Sequence, residues 1–426
     1  MKTKLSPRVW LALVVVGLFG QFAWTIENMY FNVFLYNTIS TNPDYIAAMV
    51  AASAVSATLT TLLMGALSDR LGRRKALIGG GYILWGLSTA AFGLVSVENA
   101  ARLFPANAAA AAAMMVVALD CLMTFFGSTA NDAAFNAYVT DVTDGNNRGR
   151  VESVLAVLPL MSMLVIFGLF DGMTQKGEWS KFFAIFGFAV TAVGVLSLWL
   201  VQDAPGLRPR QDKYLANLLY GLRPSVIREH PALYLALGAL CLFSVAVQVF
   251  FPYLIIYIQH YLNIANYAIV LGVVLLFASA VSVLSGALID RMGKLRFTLP
   301  AWAVMLLGLV SMYFARGMVG TIVCGCVMMS GYMLLTATLS GVVRDHTPED
   351  KIGHFQGIRM IFAVLIPMIV GPFIGSAVIK NSLAGTYTEL GAVKNVPTPG
   401  IFLAAAAVLL LTLLPVQRLK RKESQE

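Results

Sequence analysis

The chain has 426 residues, of which 58% are hydrophobic and 12% charged, and its formal net charge is +9. A soluble domain carries about 25% charged residues, so this composition excludes a water-soluble fold and calls for lipid as the solvent. In lipid only helices and closed barrels satisfy their own backbones, and apolar runs of about 20 residues, instead of alternating runs near 10, select helices.

The runs predict twelve membrane-spanning helices, near 9–36, 44–67, 76–96, 110–138, 152–173, 180–201, 232–259, 267–289, 296–315, 319–343, 357–379 and 399–416. The first follows Met1-Lys-Thr-Lys. It is too long for a secretory leader, lacks a small-residue cleavage site and is followed by more spans. The longest polar stretch, 202–231, holds Pro205, Pro209 and Pro224 with five basic residues. It divides the chain into an N-terminal six-helix half (1–201), a cytoplasmic linker (202–231) and a C-terminal half with a short basic tail (232–426). Tyr214 to Tyr220 within the linker is a candidate amphipathic surface helix.

Lysine and arginine set the orientation. One side of this topology collects 24 of the 30, including Arg70, Arg73, Arg74, Arg148, Arg291, Lys294 and the tail Arg418 to Lys422. Both termini are therefore expected in the cytoplasm, in a cell (plasma or inner) membrane. The positive balance follows from this clustering at one membrane face and calls for no nucleic-acid partner. Cys121, Cys241, Cys324 and Cys326 all fall in apolar runs without zinc-like spacing and read as reduced packing residues.

Two internal echoes follow. Gly65-Ala-Leu-Ser-Asp69-Arg70-Leu-Gly72-Arg73-Arg74 recurs as Gly286-Ala-Leu-Ile-Asp290-Arg291-Met-Gly293-Lys294, 221 residues on. Asp141, Thr143 and Gly149 recur as Asp345, Thr347 and Gly353, 204 residues on. Two related halves with matching loops are what a parallel repeat about a membrane-normal axis produces.

The repeated loop and the six-plus-six layout resemble the major facilitator superfamily, a fold of twelve helices in two pseudo-symmetric halves. That resemblance gives Gly65, Asp69, Arg70, Gly72, Arg73, Asp290 and Arg291 a gating role at the cytoplasmic rim, where charges pair or cap helix ends; Asp141, Arg148, Asp345 and Arg359, at the same inner ends of the spans, are candidates for the same role. Arg359 is expected to pair with Asp345 or Glu349. A narrower resemblance lies in Asn131-Asp132-Ala-Ala-Phe135-Asn136-Ala-Tyr138-Val-Thr-Asp141-Val-Thr143, followed by Arg148. It is similar to span four of the glycoside–pentoside–hexuronide cation symporters, the melibiose-carrier group. In that family the aspartate serves the coupling cation, a role the resemblance assigns to Asp132. Ala134, Asn136 and Thr140 stand where the family has Pro, Trp and Pro, and Ala57 and Thr61 where span two has its two aspartates.

A charged group inside a span costs about 2.5–3.5 kcal/mol on insertion scales, so interior acids are candidate functional groups. Three are Glu27, Asp120 and Asp132. Glu27 is flanked by Trp24, Asn28, Tyr30 and Asn32; helical spacing places Asn28 and Asn32 one turn apart, and acids, amides and aromatics together suit a sugar. A buried packing network is the alternative. Asp120, Thr124, Ser128 and Asn131 share a broad face of span four, with Asp132 and Asn136 beside it. Gln248 and Tyr253 are candidate contacts in span seven.

No phosphate-cradling loop, metal-ligand spacing or nucleophile motif occurs, so the chain is expected to be no enzyme, to hold no metal or cofactor, and to draw on an ion gradient. The expectation is a monomeric secondary transporter of a small polar solute, a sugar or glycoside, working by alternating access with a coupling cation. The halves, about 1–201 and 232–416, would rock against each other. Sodium prefers several charged oxygen ligands and span two lacks two of them, whereas a proton needs one carboxyl; the proton is preferred over sodium. Alternatives are an exporter of drugs or amphiphiles, a carrier of lipid-like solutes and a non-transporting nutrient sensor.

Overall fold

The computed structural model describes residues 5–143, 147–203, 222–348, 352–382, 386–389 and 392–424. Among these, twelve helices are long and apolar enough to cross a membrane. In chain order they are Pro7–Thr38, Pro43–Ser68, Arg74–Leu94, Pro105–Val142, Val154–Gln175 and Trp179–Leu200, then Pro231–Tyr261, Tyr267–Gly286, Lys294–Phe314, Gly317–Asp345, Gly357–Lys380 and Gly400–Glu423, called spans 1 to 12 below. The protein is a multi-pass, all-α membrane protein. The predicted spans match within a few residues at most ends. The last runs further because Leu413–Glu423 continues as an amphipathic helix that buries Val416 and Leu419 and carries Lys420, Arg421 and Lys422 in its last turn. Residues 204–221, including the candidate surface helix, lie outside the described residues. Between spans 11 and 12 a small antiparallel hairpin pairs Thr386–Glu389 with Ala392–Asn395.

Two compact units emerge, Met1–Ser40 with Val55–Leu215, and Thr41–Ala54 with Ala216–Glu426. The start of span 2 thus groups with the second unit, and the rest of it with the first.

Lipid supplies no hydrophobic drive between helices, so close packing of small residues must hold them. In the first unit, spans 3 and 6 pack along their length. Their glycines permit it: a Cβ on Gly187 would lie 2.6 Å from the Ala90 backbone nitrogen, and one on Gly194 2.6 Å from that of Ile83. Aromatic rings fill one end of this unit, with Phe31 stacked on Phe92 at 3.9 Å and Phe34 edge-on to Phe183 at 5.1 Å. In the second unit, spans 9 and 10 meet where Gly308 faces the Met328 backbone and Gly331 that of Met305.

Among the described residues, five spans carry a wider π turn: Ile26–Tyr30 in span 1, Ser128–Phe135 in span 4, Ile166–Phe170 in span 5, Tyr257–Tyr261 in span 7 and Ile361–Leu365 in span 11. Span 7 is also interrupted at Phe251–Tyr253, where Pro252 has no N–H to continue the helix. All four cysteines are free thiols.

The repeated loops turn on glycines with positive φ, 61° at Gly72 and 83° at Gly293. A helix then begins at Arg74 in one copy and at Lys294 in the other. The Arg74 Nε donates to Asp141 Oδ2 at 3.0 Å and its Nη1 to Ser68, with the side chain 5% exposed. The Lys294 Nζ donates to both Asp345 oxygens at 2.6 and 2.7 Å. The same cation–carboxylate link therefore closes both rims. The sequence echo aligns Lys294 with Arg73, whereas the contact aligns it with Arg74, because the first loop is one residue longer. Arg73, Arg70 and Arg291 are exposed. The Asp345 carboxylate is taken by Lys294, which corrects the expected pairing with Arg359; Glu349, the other expected partner, lies outside the described residues, as do the side chains of Asp69, Arg148 and Asp290.

Losing one partner of a largely buried ion pair leaves the other without compensation, at about 1–3 kcal/mol. Arg74→Ala should therefore lower the melting temperature of the purified protein clearly, while Arg73→Ala leaves it near the parent value. Equal melting of the two variants would contradict this assignment.

Candidate functional site

The first unit gathers the interior acids. The π turn of span 1 holds Glu27, which is 8% exposed. The Thr124 hydroxyl of span 4 donates to Glu27 Oε1 at 2.9 Å. Asp120, 2% exposed, sits one turn before Thr124 on the same helix. Both also lie close enough to the Cys121 thiol to act on it electrostatically.

Further along span 4, the Ser128 hydroxyl donates to Asp132 Oδ2 at 3.0 Å, and Asp132 is half-buried. Beside it the Asn131 amide donates to the Tyr82 hydroxyl at 2.9 Å, which in turn donates to the Val16 carbonyl at 2.8 Å. Gly20 makes room for this node, since a Cβ there would overlap both the Asn131 amide and the Tyr82 hydroxyl. Trp85 of span 3 is fully buried. Its ring lies 4.9 Å from that of Trp24 and 5.3 Å from that of Tyr82, and Gly127 lets it lie flush on span 4. Spans 1, 3 and 4 thus bring acids, an amide, hydroxyls and three aromatic rings together.

Asn28 and Asn32 separate. The Asn28 amide donates to the Trp24 carbonyl on the exposed side, while Asn32, 2% exposed, donates to the Asn28 carbonyl. The two stay one turn apart, joined by that bond, and differ only in what surrounds them. Asn136 is exposed and donates to the Asp132 carbonyl.

Gln248 and Tyr253 belong to the second unit. Gln248 is half-buried where Gly371 of span 11 packs on its Cβ. Tyr253 is fully buried, with its hydroxyl 2.9 Å from the Pro372 carbonyl and 3.2 Å from that of Pro43. That hydroxyl is engaged in joining helices.

Sequence reading passed over four residues. Tyr82 and Trp85 carry no local signal, because their role depends on a helix far along the chain. Asp171 is visible as an acid in an apolar run. It is 2% exposed and accepts from the Tyr30 hydroxyl at 3.0 Å and the Gln175 amide at 2.6 Å. Asp44 accepts from Ser376 and, at 2.7 Å, from Lys380. Among the described residues no three His, Cys, Asp or Glu side chains converge as a metal ion would need.

Several solved structures share this fold. A mutant of the nucleoside transporter NupG aligns with a TM-score of 0.73 and 12% identity, covering 97% of this chain and 99% of its own. The xylose transporter XylE from E. coli, in a partially occluded inward-open conformation, aligns with a TM-score of 0.68 and 14% identity over 96% and 98%. A D-xylose–proton symporter gives 0.66 and 12% over 96% and 96%. No curated protein matches the sequence significantly. The family model of the Major Facilitator Superfamily matches residues 13–372, and with the twelve-helix fold this places the chain in that superfamily of membrane transporters.

Proposed function

We propose that this transporter moves a small polar solute, a sugar or glycoside, by alternating access coupled to protons. The observation that carries the reading is the row of interior acids between spans 1 and 4, Glu27 bonded to Thr124, Asp120 one turn before it and Asp132 two turns further along, with the Trp24, Tyr82 and Trp85 rings packed on the same helices. Carboxylates accept paired hydrogen bonds from vicinal hydroxyls, and aromatic faces cover the apolar face of a sugar ring. The melibiose-carrier resemblance in span 4 and the fold likeness to xylose transporters support the same class. Coupling by a proton needs one carboxyl to be neutralised before the cavity closes around it, and Asp132 and Glu27 are the candidates. Both termini face the cytoplasm of a cell membrane in this reading, and the paired rim loops act as gates.

A nucleoside is the second reading. It is favoured by the half-buried Trp24 ring, which has a face a flat base can stack on, and by the fold shared with a nucleoside transporter.

In proteoliposomes, uptake of labelled sugar is expected to follow an inside-alkaline pH gradient and to ignore sodium. Accumulation of nucleoside in place of every sugar tested would select the second reading, and sodium-dependent uptake at fixed pH would overturn proton coupling. Asp132→Asn should lower accumulation to the equilibrium level while retaining downhill exchange. Full concentrative uptake in both Asp132→Asn and Glu27→Gln would remove these residues from the mechanism.

Gly20→Ala tests the polar node itself. The added methyl displaces Asn131 from Tyr82, with an expected stability loss of about 1–3 kcal/mol and weaker substrate binding. Gly80→Ala, where a Cβ meets nothing within 4 Å, serves as the control and should behave like the parent.

A further inference from the structure

At the ends of spans 7, 10 and 11 the second unit holds a cavity of about 230 Å³ lined by Leu233, Leu237, Val343, Arg344, Thr347, Phe355 and Arg359. Four of these walls are apolar and nearly inaccessible, with Leu233 and Leu237 1% exposed and Val343 and Phe355 3%. Two guanidiniums enter the same space, from different helices, and lie close enough for Arg344 to act on Arg359 electrostatically. Arg359 is half-buried and Arg344 exposed, and two like charges beside apolar walls repel each other, so an anion that joins them is favoured.

Among the described residues, the acids of the neighbourhood have other partners. Asp345, next to Arg344, is held by Lys294 at 2.6 Å. Glu423 lies 3.3 Å from His346, and Glu229 3.8 Å from His230. Among the described residues, no carboxylate forms an ion pair with either arginine. The Thr347 hydroxyl donates its proton to the Val343 carbonyl, so it supplies no competing charge.

We infer that this cavity binds a phosphate-bearing anion, gripped by the Arg344 and Arg359 guanidiniums, with the apolar walls against its organic part. Planar forks of N–H donors match phosphate oxygens in pairs, which an ammonium cannot do. Leu233, Leu237 and Phe355 then cover glycerol or acyl carbons when the phosphate belongs to a lipid headgroup. A soluble phosphate uses the same two forks without the walls. This site is separate from the acid cluster of the first unit and does not depend on the solute carried there.

The experiment uses the purified, delipidated full chain. Phosphatidylglycerol and phosphatidylcholine are titrated in with native mass spectrometry as the readout, and inorganic phosphate with melting temperature as the readout. The parent protein should retain phosphatidylglycerol over phosphatidylcholine, and R344Q/R359Q should lose that preference by about tenfold or more. R344K/R359K, which keeps the charge without the forks, should fall between, and it carries the comparison if the glutamine variant does not fold. A melting shift by inorganic phosphate that disappears in R344Q/R359Q, with no lipid preference, assigns the site to a soluble phosphate. If neither probe distinguishes parent from variants, the proposal is wrong. Glu349 and Asp350 are controlled by E349Q/D350N. An anion site binds alike in parent and control, whereas binding that appears only in the control means those acids fill the cavity and overturns the proposal.

Discussion

A carboxylate inside a membrane must find its hydrogen-bond donors on protein, because hydrocarbon provides none. That requirement organises the first unit. Glu27 of span 1 reaches Thr124 of span 4, Tyr30 of span 1 reaches Asp171 of span 5, and Asp132 is met by Ser128 from its own helix. Each acid therefore brings a donor with it and fixes how the helices around it lie. The glycines at positions 20 and 127 are the other half of the same device, since they let Tyr82, Asn131 and Trp85 approach without a side chain between.

The second unit answers the constraint differently. Its acids stand at span ends, as with Asp345 against Lys294 and Asp44 against Lys380. Its interior hydroxyls join backbones, as Tyr253 does at Pro372. The repeat that shaped both halves has thus been kept at the rim, where a cation–carboxylate contact recurs, and lost in the interior. The π turns fit this picture. A wider turn interrupts the regular backbone ladder, and two of the five hold Glu27, which meets Thr124 of span 4, and Asn131, which meets Tyr82 of span 3.

The spans were legible because run length and hydropathy are local properties, and the rim was legible because its glycines and charges repeat in order. Other features depend on what meets across space. Nothing around residue 85 distinguishes a tryptophan buried against Trp24, Tyr82 and Gly127 from one that anchors in lipid. Whether Arg73 or Arg74 turns inward is decided by the residue at which span 3 begins, one position beyond what the loop spacing implies. The spacing of Asn28 and Asn32 puts them one turn apart, as found, but only the helices around them decide that one is exposed and the other buried. Asp171 is a different case, an acid in plain view near the end of an apolar run.

The extra residue in the first rim loop has a consequence for anyone who would exchange parts between the halves. Gly65 and Gly286 stand 221 residues apart, yet the contact-making cations Arg74 and Lys294 stand 220 apart, and their carboxylates Asp141 and Asp345 only 204. A chimera spliced at a constant offset would present Arg73 where the receiving half needs its inward cation, a rotation of about 100° around the helix. Joints placed instead at the two positive-φ glycines, Gly72 and Gly293, with the loop carried over together with its own following helix, preserve the phase on both sides of the cut.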